Sequence, residues 1–284
     1  ADAATLFFIS LFGIVVKQHE AVFETAELAF SCAAFFGCCW ALTRPYWGSA
    51  LAGFACGASI LCSNLLVGAT VLVGCLMSHI LVRGIGDTAR KIFTTVAVAF
   101  ITFGLWPLVA YLLAGVVAGD YFNLWAQRQI QIVGFFDPQE ILWFVKHFIW
   151  YLCPAWPFAF WAIWMWRKNL TITHIALPLS FCCAWLIGFI LSSDVAAETL
   201  LSVTIAPLCV LASFGLMACN RSTKSMLELF SVAIFTLALT GVWAYFIAWT
   251  LGFPPKMHWS ILRLTADESV SHAHWTAILV ALVL

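Results

Sequence analysis

"IFTTVAVAFITFGLWPLVAYLLAGV", residues 92–116, is a run of twenty-five residues without a charge. About 20 apolar residues are enough for a helix to cross the hydrocarbon core of a bilayer. The run therefore reads as a transmembrane helix, and the rest of the chain repeats its pattern. Apolar runs occupy 4–16, 25–43, 47–62, 65–82, 147–166, 172–192, 200–218 and 227–253, and another begins at His274. Charges or Pro and Gly separate them.

Composition agrees. Of 284 residues, 64% are hydrophobic and 9% charged, and the mean hydropathy is +1.01. A soluble domain carries about 25% charged residues, so these charges are too few to cover a water-facing surface. The expected fold is all-α: a polytopic transmembrane helix bundle of nine to ten spans. It forms one transmembrane domain over 1–284 with two long outer segments, 118–146 and 254–272. The runs at 4–16 and 47–62 are short for a crossing and the last stops at Leu284. A piece of a longer polytopic protein is the simplest expectation, and a trimmed complete subunit the alternative.

With the N-terminus placed in the cytoplasm, eight basic residues fall inside (Arg44, Arg83, Arg90, Lys91, Arg167, Lys168, Arg221, Lys224) and five outside (Lys17, Arg128, Lys146, Lys256, Arg263). That is the direction of the positive-inside rule. Ten of thirteen acids fall outside, among them Glu20, Glu24 and Glu27. All eleven cysteines lie in spans or at their ends rather than in the long outer segments. They read as small apolar fillers, not as a disulfide framework or a metal site.

Gly53 and Gly57 have the GxxxG spacing that lets helices approach closely. Phosphate-cradling loops, HExxH, nucleophile elbows and a basic nucleic-acid face are absent from the sequence. Pro154 and Pro157 should bend or tighten the outer end of the span at 147–166.

Chemistry concentrates in "KQHEAVFETAELAF", residues 17–30. On a helix Glu20, Glu24 and Glu27 share one face, with His19 beside it. One reading is a solvated helix start, with acids at the positive end of the helix dipole. The other is an acidic cleft in which His19, Glu20 and Glu24 bind an acceptor hydroxyl, a cationic sugar or a divalent cation. In the segment 118–146, Arg128 and Lys146 could clamp a phosphate or simply anchor lipid headgroups. His258, His272 and His274 fit an interface role better than a metal site.

Several stretches in order resemble the middle of polyprenyl-phosphate-dependent sugar transferases of the GT-C class, most closely the aminoarabinose transferases and protein mannosyltransferases. They are "KQHEAVFETAEL", "LTRPYWGSALAGFACGASILCSNLL", "FIWYLCPAWPFAFWAIWMWRKN", "AAETLLSVTIAPLCVLAS" and "LELFSVAIFTLALTGVWAYFIAWTLGFPP". The resemblance implies a membrane glycosyltransferase moving a sugar from a polyprenyl-phosphate lipid to a lipid or protein acceptor. Its active site would be periplasmic, in a bacterial inner membrane, and its base would come from a loop preceding residue 1. Departures accompany it. Glu24 stands where an Asp is usual, Ser63 where a Lys is expected, Asn64 for a Gly, Ala197 for an Arg before Glu198, and Val203 for a Pro. Two cations expected near the lipid phosphate are missing, so lipid binding without turnover is the expectation. The alternatives are a non-catalytic membrane subunit that binds lipid and scaffolds a protein partner, and a transporter. The transporter ranks last because the charges sit at the ends of the runs.

Overall fold

In a computed structural model of the protein, the described residues are 2–17, 23–82, 86–132, 134, 141–192 and 194–265. Every regular element among them is a helix: α1 (Asp2–Ser10), α2 (Phe12–Lys17), α3 (Phe23–Trp40), α4 (Pro45–Cys62), α5 (Leu65–Leu81), α6 (Thr88–Ala114), α7 (Val116–Ile132), α8 (Ile141–Tyr151), α9 (Ala155–Met165), α10 (Thr173–Ile190), α11 (Asp194–Ala218), α12 (Arg221–Leu251) and α13 (Pro255–Thr265). The chain divides into two units, Ala1–Ala218 and Cys219–Leu284.

Local chemistry explains the boundaries. Pro45 opens α4, where its fixed φ suits a first turn and no amide hydrogen is needed. The Asn64 side chain accepts from the Val67 amide at 2.8 Å and caps α5. Asp87 does the same for α6 through the Ala89 amide at 3.1 Å. Gly115, at φ 55°, turns the chain out of α6 into α7, and Gly252, at φ 71°, ends α12. Residues with a Cβ seldom adopt such angles.

In the first unit α3 packs on α4, α4 on α6, α5 on α10 and α9 on α11, with α10 against α11. Small residues set the closest approaches. A Cβ added at Gly57 would stand 2.7 Å from the Ala99 carbonyl oxygen, and one at Gly53 would collide with that of Thr95. The GxxxG pair thus forms the α4–α6 seam, as its spacing suggested. Gly188 meets Thr70 where α10 crosses α5. Larger side chains fill the middle: Phe35 and Phe181 meet edge to face at 5.3 Å, among buried Leu200, Leu201 and Ile205.

Three described helical segments are long and apolar enough to cross a membrane: Thr88–Ala114, Thr173–Ile190 and Thr199–Ala218. A fourth crossing results if Val145–Tyr151 and Ala155–Met165 count as one broken span. The bend between those two is 96°, a sharp break at the predicted proline site. The other apolar runs fold as shorter pieces or carry more polar residues. The run at 4–16, for example, becomes α1 and α2, and the Phe12 amide bonds the Cys153 carbonyl at the α8–α9 break (3.1 Å).

The second unit holds α12 and α13. Of the described α12 side chains only Ala248 is buried. Its carbonyl pairs with His258 Nδ1 of α13 at 2.8 Å, which gives that histidine a structural partner.

Candidate functional site

Short connections make α3, α4, α5 and α6 alternate in direction. The start of α3, the end of α4 and the start of α5 therefore meet at one end of the first unit. The end of α5 and the starts of α4 and α6 meet at the other. Each end buries ionisable side chains.

At the first end, Glu27 is fully buried, at 0% exposure. Its Oε1 pairs with the Ser202 hydroxyl of α11. Its Oε2 has no hydrogen-bond partner among the described residues. The Ser63 side chain stands beside the carboxyl, and Glu24, one turn earlier on α3, adds like charge nearby. Glu24 itself is half-buried. Asn64 Nδ2 donates to Ser63 Oγ at 3.1 Å. The Ser31 hydroxyl bonds the Leu28 carbonyl at 2.9 Å and reaches the Ser202 carbonyl at 3.4 Å. α7 arrives from the side, its Gln129 Oε1 accepting from the Leu65 amide at 2.8 Å. α7 thus reaches the end of the unit where Glu24 and Glu27 lie.

At the second end, His79 (4% exposed) and Lys91 (2% exposed) are buried. His79 Nε2 lies 3.1 Å from Thr95 Oγ1, and Thr95 donates to the Ser49 carbonyl at 3.2 Å. Since the threonine's one hydrogen is committed, His79 must present an Nε2–H. Arg90 pairs at 3.8 Å with exposed Asp87.

Of the residues expected to bind acceptor or cation, Glu24 is at the first end; His19 and Glu20 lie outside the described residues. Arg128 on α7 and Lys146 on α8 are both exposed. α7 packs on α6 and α8 on α2, so the two cations ride on separately packed helices. No group of three His, Cys, Asp or Glu among the described residues is placed to hold a metal. All eleven cysteines are free thiols.

Sequence reasoning missed Glu27 as a site residue. Its signal was the i, i+3 spacing from Glu24, which placed it on the acidic face. Its partner, Ser202, is 175 positions away. Comparisons with protein-family models, curated proteins and solved structures each find no match to the chain.

Proposed function

We propose that the chain is a sugar-transferase-like protein of the polyprenyl-phosphate-dependent type, with nine to ten spans in a bacterial inner membrane. On this reading the Glu24–Glu27 end receives the hydroxyl- or amine-bearing headgroup of a lipid or protein acceptor. The carrying observation is the fully buried Glu27 carboxyl, one oxygen of which has no hydrogen-bond partner among the described residues, with Glu24 one turn away and the α7 contact at the same end. Ionisable residues inside a membrane bundle are rare and mark binding or proton-transfer sites. Ser63, where the resemblance calls for a lysine, adjoins Glu27 here. This end of the unit therefore suits a cation or a hydroxyl and repels a phosphate. The donor phosphate is assigned to Arg128, on the helix that reaches this end through Gln129, with Lys146 as its second cation. A divalent cation, if one takes part, would use the Glu24 and Glu27 oxygens.

The test is purified protein in nanodiscs with a polyprenyl-phosphate sugar and candidate acceptors, read for both binding and transfer. Donor binding that weakens in Arg128→Ala and at raised salt is the expected result, with no transfer by this chain alone. Binding indifferent to Arg128 removes the donor assignment. Transfer that disappears in Glu24→Gln overturns the inactivity and locates the chemistry in the acidic stretch. A second reading, a lipid-binding subunit that scaffolds a partner, has α12 in its favour, since side chains such as Leu229, Phe235, Leu237 and Val242 are exposed.

A further inference from the structure

Few hydrogen bonds reach the Glu27 carboxyl to support an ionised form. The Ser202 hydroxyl has one hydrogen and two acceptors: the Thr199 carbonyl at 2.7 Å and Glu27 Oε1. With Ser202 donating to Thr199, an ionised Oε1 gains nothing from that contact. Oε2 has no hydrogen-bond partner among the described residues, and the residue is closed off from solvent. An unpaired buried carboxylate is among the most costly groups a bundle can contain. A proton on Oε1 removes that cost. The acid then donates to Ser202 Oγ, and Ser202 donates to Thr199.

The neighbours set how readily that proton leaves: a hydroxyl donating to the carboxyl steadies its ionised form, and a like charge opposes it. Ser63 Oγ accepts from Asn64, whose Oδ1 is committed to the Val67 amide, so the Ser63 hydrogen is left to turn toward the carboxyl. The titratable groups facing Glu27 are Glu24 on its own helix and Cys62 at the end of α4. Cys32 on α3 and Cys209 on α11 lie further in, against each other. The side chains of Asp194 and Glu198 on α11 are outside the described residues. None of the described groups named here is a cation. Glu24 is half-buried one turn away on the same face, between Glu27 and the end of the bundle.

We propose that Glu27 is a reversible proton-binding site, loaded and emptied through Glu24. A proton needs no cavity, which suits a residue enclosed on all sides. The site does not depend on sugar transfer, so it can stand or fall separately from the reading above.

The experiment is infrared difference spectroscopy of the protein in nanodiscs, titrated from mildly acidic to alkaline pH, alongside a hydrophobic carbodiimide. That reagent takes up the O–H of a neutral carboxyl across its C=N bond, and the adduct rearranges to a stable N-acylurea that peptide mass mapping can locate. A protonated-carboxyl band is expected that fades as pH rises and is absent in Glu27→Gln, with carbodiimide attached at Glu27 over the same pH range. After a pH jump, the band should decay more slowly in Glu24→Gln. Should Glu27→Gln fail to fold, Ser202→Ala replaces it and must shift the band. A Glu27 that is ionised throughout, or protonated at every pH, overturns the proposal. So does loss of the band on adding sodium at constant pH, which would make this an alkali-cation site. An unchanged decay in Glu24→Gln overturns the route.

Discussion

The two ends of the first unit bury their polar groups in different ways. At the His79 end a donor faces each acceptor in line: imidazole N–H to Thr95, Thr95 to the Ser49 carbonyl. The Ser49 hydroxyl has no hydrogen-bond partner among the described residues, a smaller cost than an unpaired charge. Lys91 lays its stem beside the turn at Gly86; a Cβ added to that glycine would be 3.6 Å from Lys91 Cε. At the Glu27 end one oxygen of a buried carboxyl has no hydrogen-bond partner among the described residues. The first arrangement pairs its histidine and its threonine and holds helices together. The second buries an ionisable carboxyl with no cation among the described groups facing it, which is why it is the better candidate for chemistry.

Several measurements can break or sharpen this contrast. The largest effect is all-or-none. With native cysteines replaced, a cysteine at position 87, beside the His79 end, should stay unlabelled by an impermeant thiol reagent outside intact cells. Labelling there reverses which end faces out.

Next is the seam joining the two ends. Gly53→Leu with Gly57→Leu inserts side chains against the Thr95 and Ala99 carbonyls. Overpacking costs about 1–3 kcal/mol per site and sometimes more. The thermal midpoint in detergent should drop sharply or folding should fail. A near-native midpoint would mean that α4 and α6 are not in close contact.

Thr95→Val comes third. It strips the His79 N–H of its acceptor and the Ser49 carbonyl of a donor, at about 1–3 kcal/mol for each buried group left unpaired. Chemical denaturation should report a larger loss than for Ser202→Ala, which deprives only the Glu27 carboxyl of its partner, at about 1–3 kcal/mol. The reverse order would mean the Glu27 end is the more tightly held.

The smallest change is Glu27→Gln. A carboxamide keeps the shape and the donor–acceptor pair of a neutral acid, so stability should move by less than about 1 kcal/mol. A large loss would show that Glu27 needs its charge.

Much of the architecture was legible in the sequence because its causes are local. The uncharged run at 92–116 lies almost wholly within α6, the Gly53–Gly57 spacing forms a seam, and the prolines at 154 and 157 sit at a sharp bend. Helix ends at Pro45, Asn64 and Asp87 follow from capping chemistry a few residues long. The burial of charge was not legible. The charged residues were placed at the ends of runs, and Glu27, His79 and Lys91 do sit near helix ends. Position along a helix, however, does not tell which way a side chain points. Glu27 faces inward because Ser202 is there to meet it, and His79 because Thr95 is. Those pairings are made by packing between helices distant in sequence, which periodicity along one helix does not carry. Three or four of the described segments are long and apolar enough to cross, while a short apolar run such as 4–16 folds as two short helices.

The lengths of α6 and α10 also matter for the lipid around them. At about 1.5 Å per residue, the 27 residues of α6 rise about 40 Å and the 18 of α10 about 27 Å. A bilayer has a hydrocarbon core about 30 Å thick, so α10 nearly matches it and α6 exceeds it. The surplus carries Tyr111, Leu112 and Leu113, which are 62%, 73% and 83% exposed. Water is a poor solvent for that tip, so α6 must tilt or the surrounding lipid must stretch to cover it. Membrane thickness thereby becomes a variable acting on the joint at Gly115, and through α7 on the end of the bundle where Glu27 is buried.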